Sequence, residues 1–170
     1  MALFRLRFPV TQLATWAKRY SYPDDDRIER IGKRVLLRGF ITKREFLDIC
    51  HWKSPRTKPR CESNSAHLIK EASAVAFAGN DDRLKIAALL ALTGVSWPTA
   101  SVFLHFCDRK AYPILDFRAL WSLGFNKPPR YTFDFWVAYC DYSRTLAHRA
   151  GLNMRTTDRA LWQYSKTHQT

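Results

Sequence analysis

Apolar residues recur at helical spacing along most of this chain, and no useful stretch alternates with a period of two. That pattern argues against an extended sheet and for packed helices. Thr11 to Tyr20 sets Leu13, Trp16, Ala17 and Tyr20 on one face. Pro23 and the acidic run Asp24, Asp25 and Asp26 open a helix carried by Ile28, Ile31, Val35 and Leu36 to Gly39. Thr42 and Glu45 have capping-box spacing ahead of Phe46, Leu47 and Ile49. Helices are also predicted from Ser65 to Phe77, from about Phe133 to Ala150, and from Thr156 or Thr157 to Lys166. Between them runs a helix whose inner face is read as Leu84, Ala87, Ala88, Ala91 and Leu92. Phe135, Tyr139, Tyr142 and Leu146 repeat at helical spacing as a core stripe. The expected fold is all-α, with about eight to ten short helices in one unit over residues 1–170.

With 46% hydrophobic and 14% aromatic residues the chain can build a real core. No apolar run reaches bilayer length, and Arg5, Arg7 and Lys18 interrupt the amino-terminal apolar residues, so no signal-peptide core is present. A cytoplasmic protein without a membrane partner is the expectation. Lys plus Arg number 28 against 15 Asp plus Glu, a net charge of +13. Such an excess favours a polyanionic partner, most often nucleic acid; the alternative is a basic surface with no such ligand. Cys50, Cys61, Cys107 and Cys140 form no CxxC pair, which speaks against a disulfide framework or an iron–sulfur loop. Adjacent Cys50 and His51 are poor zinc spacing beside Cys61 and His67, and buried reduced thiols are expected.

Two segments carry the functional signal. Residues 52–64, WKSPRTKPRCESN, combine Pro55 and Pro59, which are expected to forbid a regular helix, with Lys53, Arg56, Lys58 and Arg60. They read either as a solvated loop or as a phosphate-contacting arm beside Trp52, an aromatic able to stack on a base. Residues 89–124 read as helix, glycine turn, helix, proline-bearing loop, then Asp116 opening another helix. A turn around Gly94 can aim backbone N–H groups outward, with Gly94, Val95 and Ser96 facing a phosphate and Trp97 and Thr99 as further DNA contacts. Asp116, ahead of Phe117-Arg118-Ala119-Leu120, is on local grounds an ordinary N-cap.

LTGVSWPTASVFL resembles the helix-hairpin-helix element of the DNA glycosylases related to endonuclease III, and YPILDFRALWSLG resembles the segment that follows it there. The interval from Gly94 to Asp116 agrees with that superfamily. The resemblance implies a two-lobed all-helical body, a helix-hairpin-helix over 84–107 and a loop and helix over 111–124 bearing the catalytic Asp116. It implies a monomer acting on duplex DNA, hydrolysing the N-glycosidic bond of a damaged or modified base. Leu92 and Gly94 would hold a K+ or Na+ ion through their carbonyls, and no iron–sulfur cluster is implied. Arg118 becomes a secondary DNA contact; Trp52, Trp97 and Trp121 become candidates for stacking or wedging. Pro98 occupies the place of the family's Schiff-base lysine, which disfavours lyase chemistry, and neither Lys85 nor Lys110 has the spacing to replace it. Two other readings stand beside this one: a non-catalytic DNA-binding module using Asp116 only as a cap, and a basic protein-interaction domain.

Overall fold

The computed structural model describes residues 3–169. Within them the chain is all-helical and strandless, with ten α-helices: α1 (Leu13–Lys18), α2 (Asp25–Arg38), α3 (Lys43–Lys53), α4 (Lys58–Glu62), α5 (Ala66–Ala78), α6 (Asp82–Leu90), α7 (Trp97–Cys107), α8 (Phe117–Ser122), α9 (Phe133–Ala150) and α10 (Met154–His168). The helices fall into two compact units, one of residues 1–22 and 111–170, the other of residues 23–110.

In the unit of residues 23–110, α2 buries Ile28, Ile31 and Val35 and packs on α7, while α5 packs on α6. Gly32 lets α2 approach α7 closely: a Cβ there would lie 2.3 Å from the Phe106 carbonyl oxygen. Phe46 of α3 stacks on Phe103 of α7 at 5.4 Å between ring centroids. The capping box at α3 forms as expected, with the Thr42 side chain accepting from the Glu45 N–H and the Glu45 carboxylate from the Thr42 N–H. Glu45 also pairs with Arg34 at 3.2 Å and with Arg38.

In the unit of residues 1–22 and 111–170, α10 packs against α1 and α8. Phe4 lies among Phe125, Phe135, Tyr139 and Tyr142 with ring centroids 5.2 to 6.0 Å apart, so the core stripe of α9 is completed from the amino-terminal segment. Tyr139 and Leu146 are buried; Phe135 and Tyr142 are half-buried.

Three local expectations change. Residues 52–64 are not an irregular loop: Pro55–Thr57 form a 3-10 turn and α4 follows directly. Both prolines sit in a first turn, where the missing N–H would have no helical partner anyway. The inner face of α6 is Lys85, Ile86 and Leu89, with Leu84 62% exposed. The rotation follows from Lys85, whose Nζ lies 2.5 Å from Asp108 Oδ2 and donates to the Ala76 carbonyl. The Asp108 side chain is correspondingly buried. Finally, α10 begins at Met154, capped by Asn153 and not by Thr156 or Thr157.

Gly32→Ala is expected to destabilise the fold by about 2 kcal/mol or more, because the new methyl meets backbone rather than a movable side chain. Urea denaturation showing an unchanged midpoint would count against the close α2–α7 packing. A second expectation concerns acid. Burial alone would raise the Glu45 carboxyl, but the Thr42 N–H and hydroxyl with Arg34 and Arg38 outweigh it and hold the group below its ordinary 4.5. A depressed folded value stabilises above the unfolded value and loses that contribution as pH falls through the folded one. The parent's urea midpoint should therefore drop as pH is lowered from about 4.5, and Glu45→Gln should be weaker at neutral pH with a flatter acid limb. Parallel pH curves for the two proteins would rule this out.

Candidate functional site

The link between α6 and α7 is a tight turn in which the Val95 N–H donates to the Leu92 carbonyl at 3.1 Å. Gly94, third of the four residues, has φ +82, a value that glycine adopts without steric cost. Beneath it lies α4: a Cβ at Gly94 would fall 2.8 Å from Cys61 Sγ and 2.9 Å from the Cys61 nitrogen. The absent side chain therefore makes room for the protein's own backbone, and the turn rests directly on the Arg60–Cys61 peptide.

A second element fixes the same turn. Buried Asn64 accepts the Thr93 N–H at 2.9 Å and donates to the Thr93 carbonyl at 2.8 Å and the Cys61 carbonyl at 2.9 Å. Its amide thus pairs with Thr93 as a neighbouring strand would and ties the turn to α4. Sequence reading passed over Asn64; its place just after α4, two residues before α5, looks like ordinary loop polarity. Both thiols below the turn, Cys50 and Cys61, are buried and free, as are Cys107 and Cys140. Burial, then hydrogen bonding and charge from Cys61, push the Cys50 thiol far up, which makes it inert packing.

Around this turn the sequence-predicted DNA contacts divide. Ser96 is exposed at the start of α7 and makes no side-chain cap, while Val95 and Trp97 are half-buried. Thr99 is buried, which leaves its hydroxyl no surface to offer. Arg56, Lys58 and Arg60 are exposed, and Lys53 is half-buried. The turn and the basic segment are thereby brought together within one unit, through Gly94 on Arg60–Cys61. Trp52 is tied down: its Nε1 donates to the Pro23 carbonyl at 3.1 Å and its ring meets Phe106 edge-on at 5.7 Å.

Asp116 belongs to the other unit. It caps α8, its Oδ1 accepting the Arg118 N–H at 2.8 Å, and it is half-buried. The loop before it is held at Ile114 on both sides: the Tyr139 hydroxyl donates to the Ile114 carbonyl at 2.7 Å, and Asp158 Oδ1 accepts its N–H at 3.1 Å. Asp158 is in turn paired with Arg155 at 3.0 Å. Burial first, and then the negative charge of Asp116, raise the phenol of half-buried Tyr131. Trp121 lies under the Arg7 guanidinium at 4.4 Å from its ring centroid, and Arg7 Nε donates to its carbonyl at 2.5 Å. The exposed aromatic beside Asp116 is instead Phe117, 49% accessible, with the Arg118 guanidinium 5.1 Å from its ring centroid.

A cleft of about 500 Å³ in the unit of residues 23–110 is lined in part by Lys85, Asp108 and Arg109. There Lys85 Nζ is held by Asp108 Oδ2 at 2.5 Å and by the Ala76 carbonyl at 3.1 Å. No helix among the described residues is long and apolar enough to cross a membrane. In comparisons with known proteins, no family model, curated protein or solved structure matches this chain.

Two glycines of equal conformation test the support beneath the turn. Gly39 has φ +84 with nothing within 4 Å of a built Cβ, whereas Gly94 has φ +82 and backbone at 2.9 Å. Gly39→Ala should cost about 1 kcal/mol, the left-handed backbone term alone. Gly94→Ala should cost about 2–4 kcal/mol, since overpacking is added to it. Equal losses in chemical denaturation would show that the turn does not rest on α4.

Proposed function

We propose that this chain is a DNA-binding protein of the base-excision type, a monofunctional glycosylase that hydrolyses the N-glycosidic bond of a damaged or modified base. The observation that carries the binding half is the seating of the α6–α7 turn on the Arg60–Cys61 peptide, within the segment that bears exposed Arg56, Lys58 and Arg60, with Asn64 tying it there. Phosphate would sit at the start of α7, whose positive dipole end and uncapped Ser96 favour an anion, with Arg56, Lys58 and Arg60 adding screened attraction. The Leu92 carbonyl, oriented by the Val95 N–H, and the Gly94 carbonyl are hard oxygen donors suited to K+ or Na+. Such an ion would supply positive charge to a bound phosphate.

Asp116 supplies the chemistry in this reading, and its support is the resemblance together with its fixed, half-buried position. Its carboxylate stabilises the positive charge that develops on the sugar as the C–N bond breaks, and orients the water that adds at C1′. The base departs with one proton of that water, and the hydroxyl stays on the sugar. Phe117, half-exposed beside the carboxylate, is the aromatic best placed to stack on a base. Holding Ile114 from both sides limits the freedom of the loop that delivers Asp116.

The Arg118 N–H bond favours a second reading, in which Asp116 is a cap and nothing more. Asn and Asp cap helices about equally well, whereas Ala does not, and that difference separates the two. Lesion-containing duplexes are incubated with protein and treated with alkali to reveal abasic sites. For a catalytic Asp116, Asp116→Asn keeps thermal stability and DNA affinity and loses base release by about a hundredfold or more. Base release by Asp116→Asn at the parental rate would leave only the cap.

A further inference from the structure

A second cleft, of about 480 Å³, opens between α3 and α4. Lys43, Leu47 and His51 are spaced four residues apart on one face of α3, and Lys58 and Glu62 face them from α4. Its carboxylates are already compensated. Asp48 pairs with Arg27 at 2.5 Å, and Glu62 lies 3.9 Å from Lys58 Nζ. Lys43 Nζ donates to the Glu62 carbonyl at 2.9 Å and has no carboxylate partner among the described residues. Arg44 is exposed and has no ion pair among the described residues. The result is an apolar patch from Leu47, the exposed imidazole of His51 beside it, and surplus cations at the edge. The lining is thus mixed: three cations, two carboxylates each beside a cation, one aliphatic side chain and one imidazole around a concave surface. A single nucleotide, with an anionic phosphate and a flat, largely apolar base, has the matching distribution, and the volume suits a ligand of that size.

Position supports the same occupant. α4 carries Cys61 and Arg60 under the Gly94 turn, and Lys58 and Glu62 into the cleft, so one short helix borders both features. We infer that the α3–α4 cleft is a nucleotide subsite, taking one unpaired nucleotide of a nucleic-acid strand with its phosphate at Lys43 and Arg44 and its base over Leu47 and His51. The inference rests on the nucleic-acid-binding half of the proposal above and is independent of catalysis at Asp116.

Fluorescence anisotropy with a labelled single-stranded DNA of about twelve nucleotides, long enough for one site, tests it across a salt series. Lys43→Gln with Arg44→Gln should weaken binding at least tenfold and lower the slope of log K against log salt by about 1.4, at about 0.7 per lost phosphate contact on a single strand. Leu47→Ala should weaken binding several-fold with the slope unchanged, since it removes contact and no charge. The charge-matched control Lys18→Gln with Lys33→Gln, two exposed lysines outside the cleft, should change neither. Groove and control variants that behave alike, with the parent binding, overturn the subsite alone. A parent that binds neither this strand nor a duplex overturns the subsite and the nucleic-acid-binding proposal together. Loss of affinity in Arg60→Gln while the groove variants match the parent leaves the turn and its basic segment standing without the cleft.

Discussion

The amide of Asn64 is the interaction on which the geometry of the α6–α7 turn depends. Backbone polar groups in a turn this tight must find partners, and a buried side-chain amide that satisfies both groups of Thr93 removes the alternatives open to the chain. Its third bond, to the Cys61 carbonyl, attaches the turn to α4. Gly94 then has to be glycine for two separate reasons: its left-handed φ, and the backbone of α4 at van der Waals distance. Remove either support and the exposed cations of 56–60 lose their fixed relation to the start of α7.

This arrangement alters what the glycine means. From the sequence, a glycine between two apolar helices reads as a place where a phosphate can approach the main chain. In the fold its open side faces inward onto Arg60 and Cys61. The N–H groups of Thr93 and Val95, the latter an expected phosphate donor, are taken up by Asn64 and the Leu92 carbonyl, so an anion at the positive end of α7 would meet only the amides that follow. Bracing of this kind lowers the ordering cost of binding, since the donors are positioned before a ligand arrives.

The helices themselves were legible because their signals are local. A capping box at Thr42, Gly39 closing α2 and an apolar stripe in α9 each act within a few residues. Features decided by distant partners were not. The buried face of α6 depends on Lys85, which reads as a solvent residue until Asp108, twenty-three positions later, supplies its counter-charge. The prolines of 52–64 looked like helix breakers because first-turn placement depends on where each short helix starts. Asn64 and the two-sided hold on Ile114 by Tyr139 and Asp158 leave no periodic trace at all. Trp121 was picked for its type, yet Arg7 covers it, and the smaller Phe117 is the accessible ring.

The most direct test of the account is an amide NMR titration of the full chain with a short duplex at about 0.1 M salt, where long-range attraction is screened beyond roughly 10 Å. Phosphate binding at the braced turn predicts the largest shifts at Gly94 to Trp97 and in residues 53–60, appearing together at one affinity. Shifts that bypass the turn, or are absent up to saturating DNA, would contradict it.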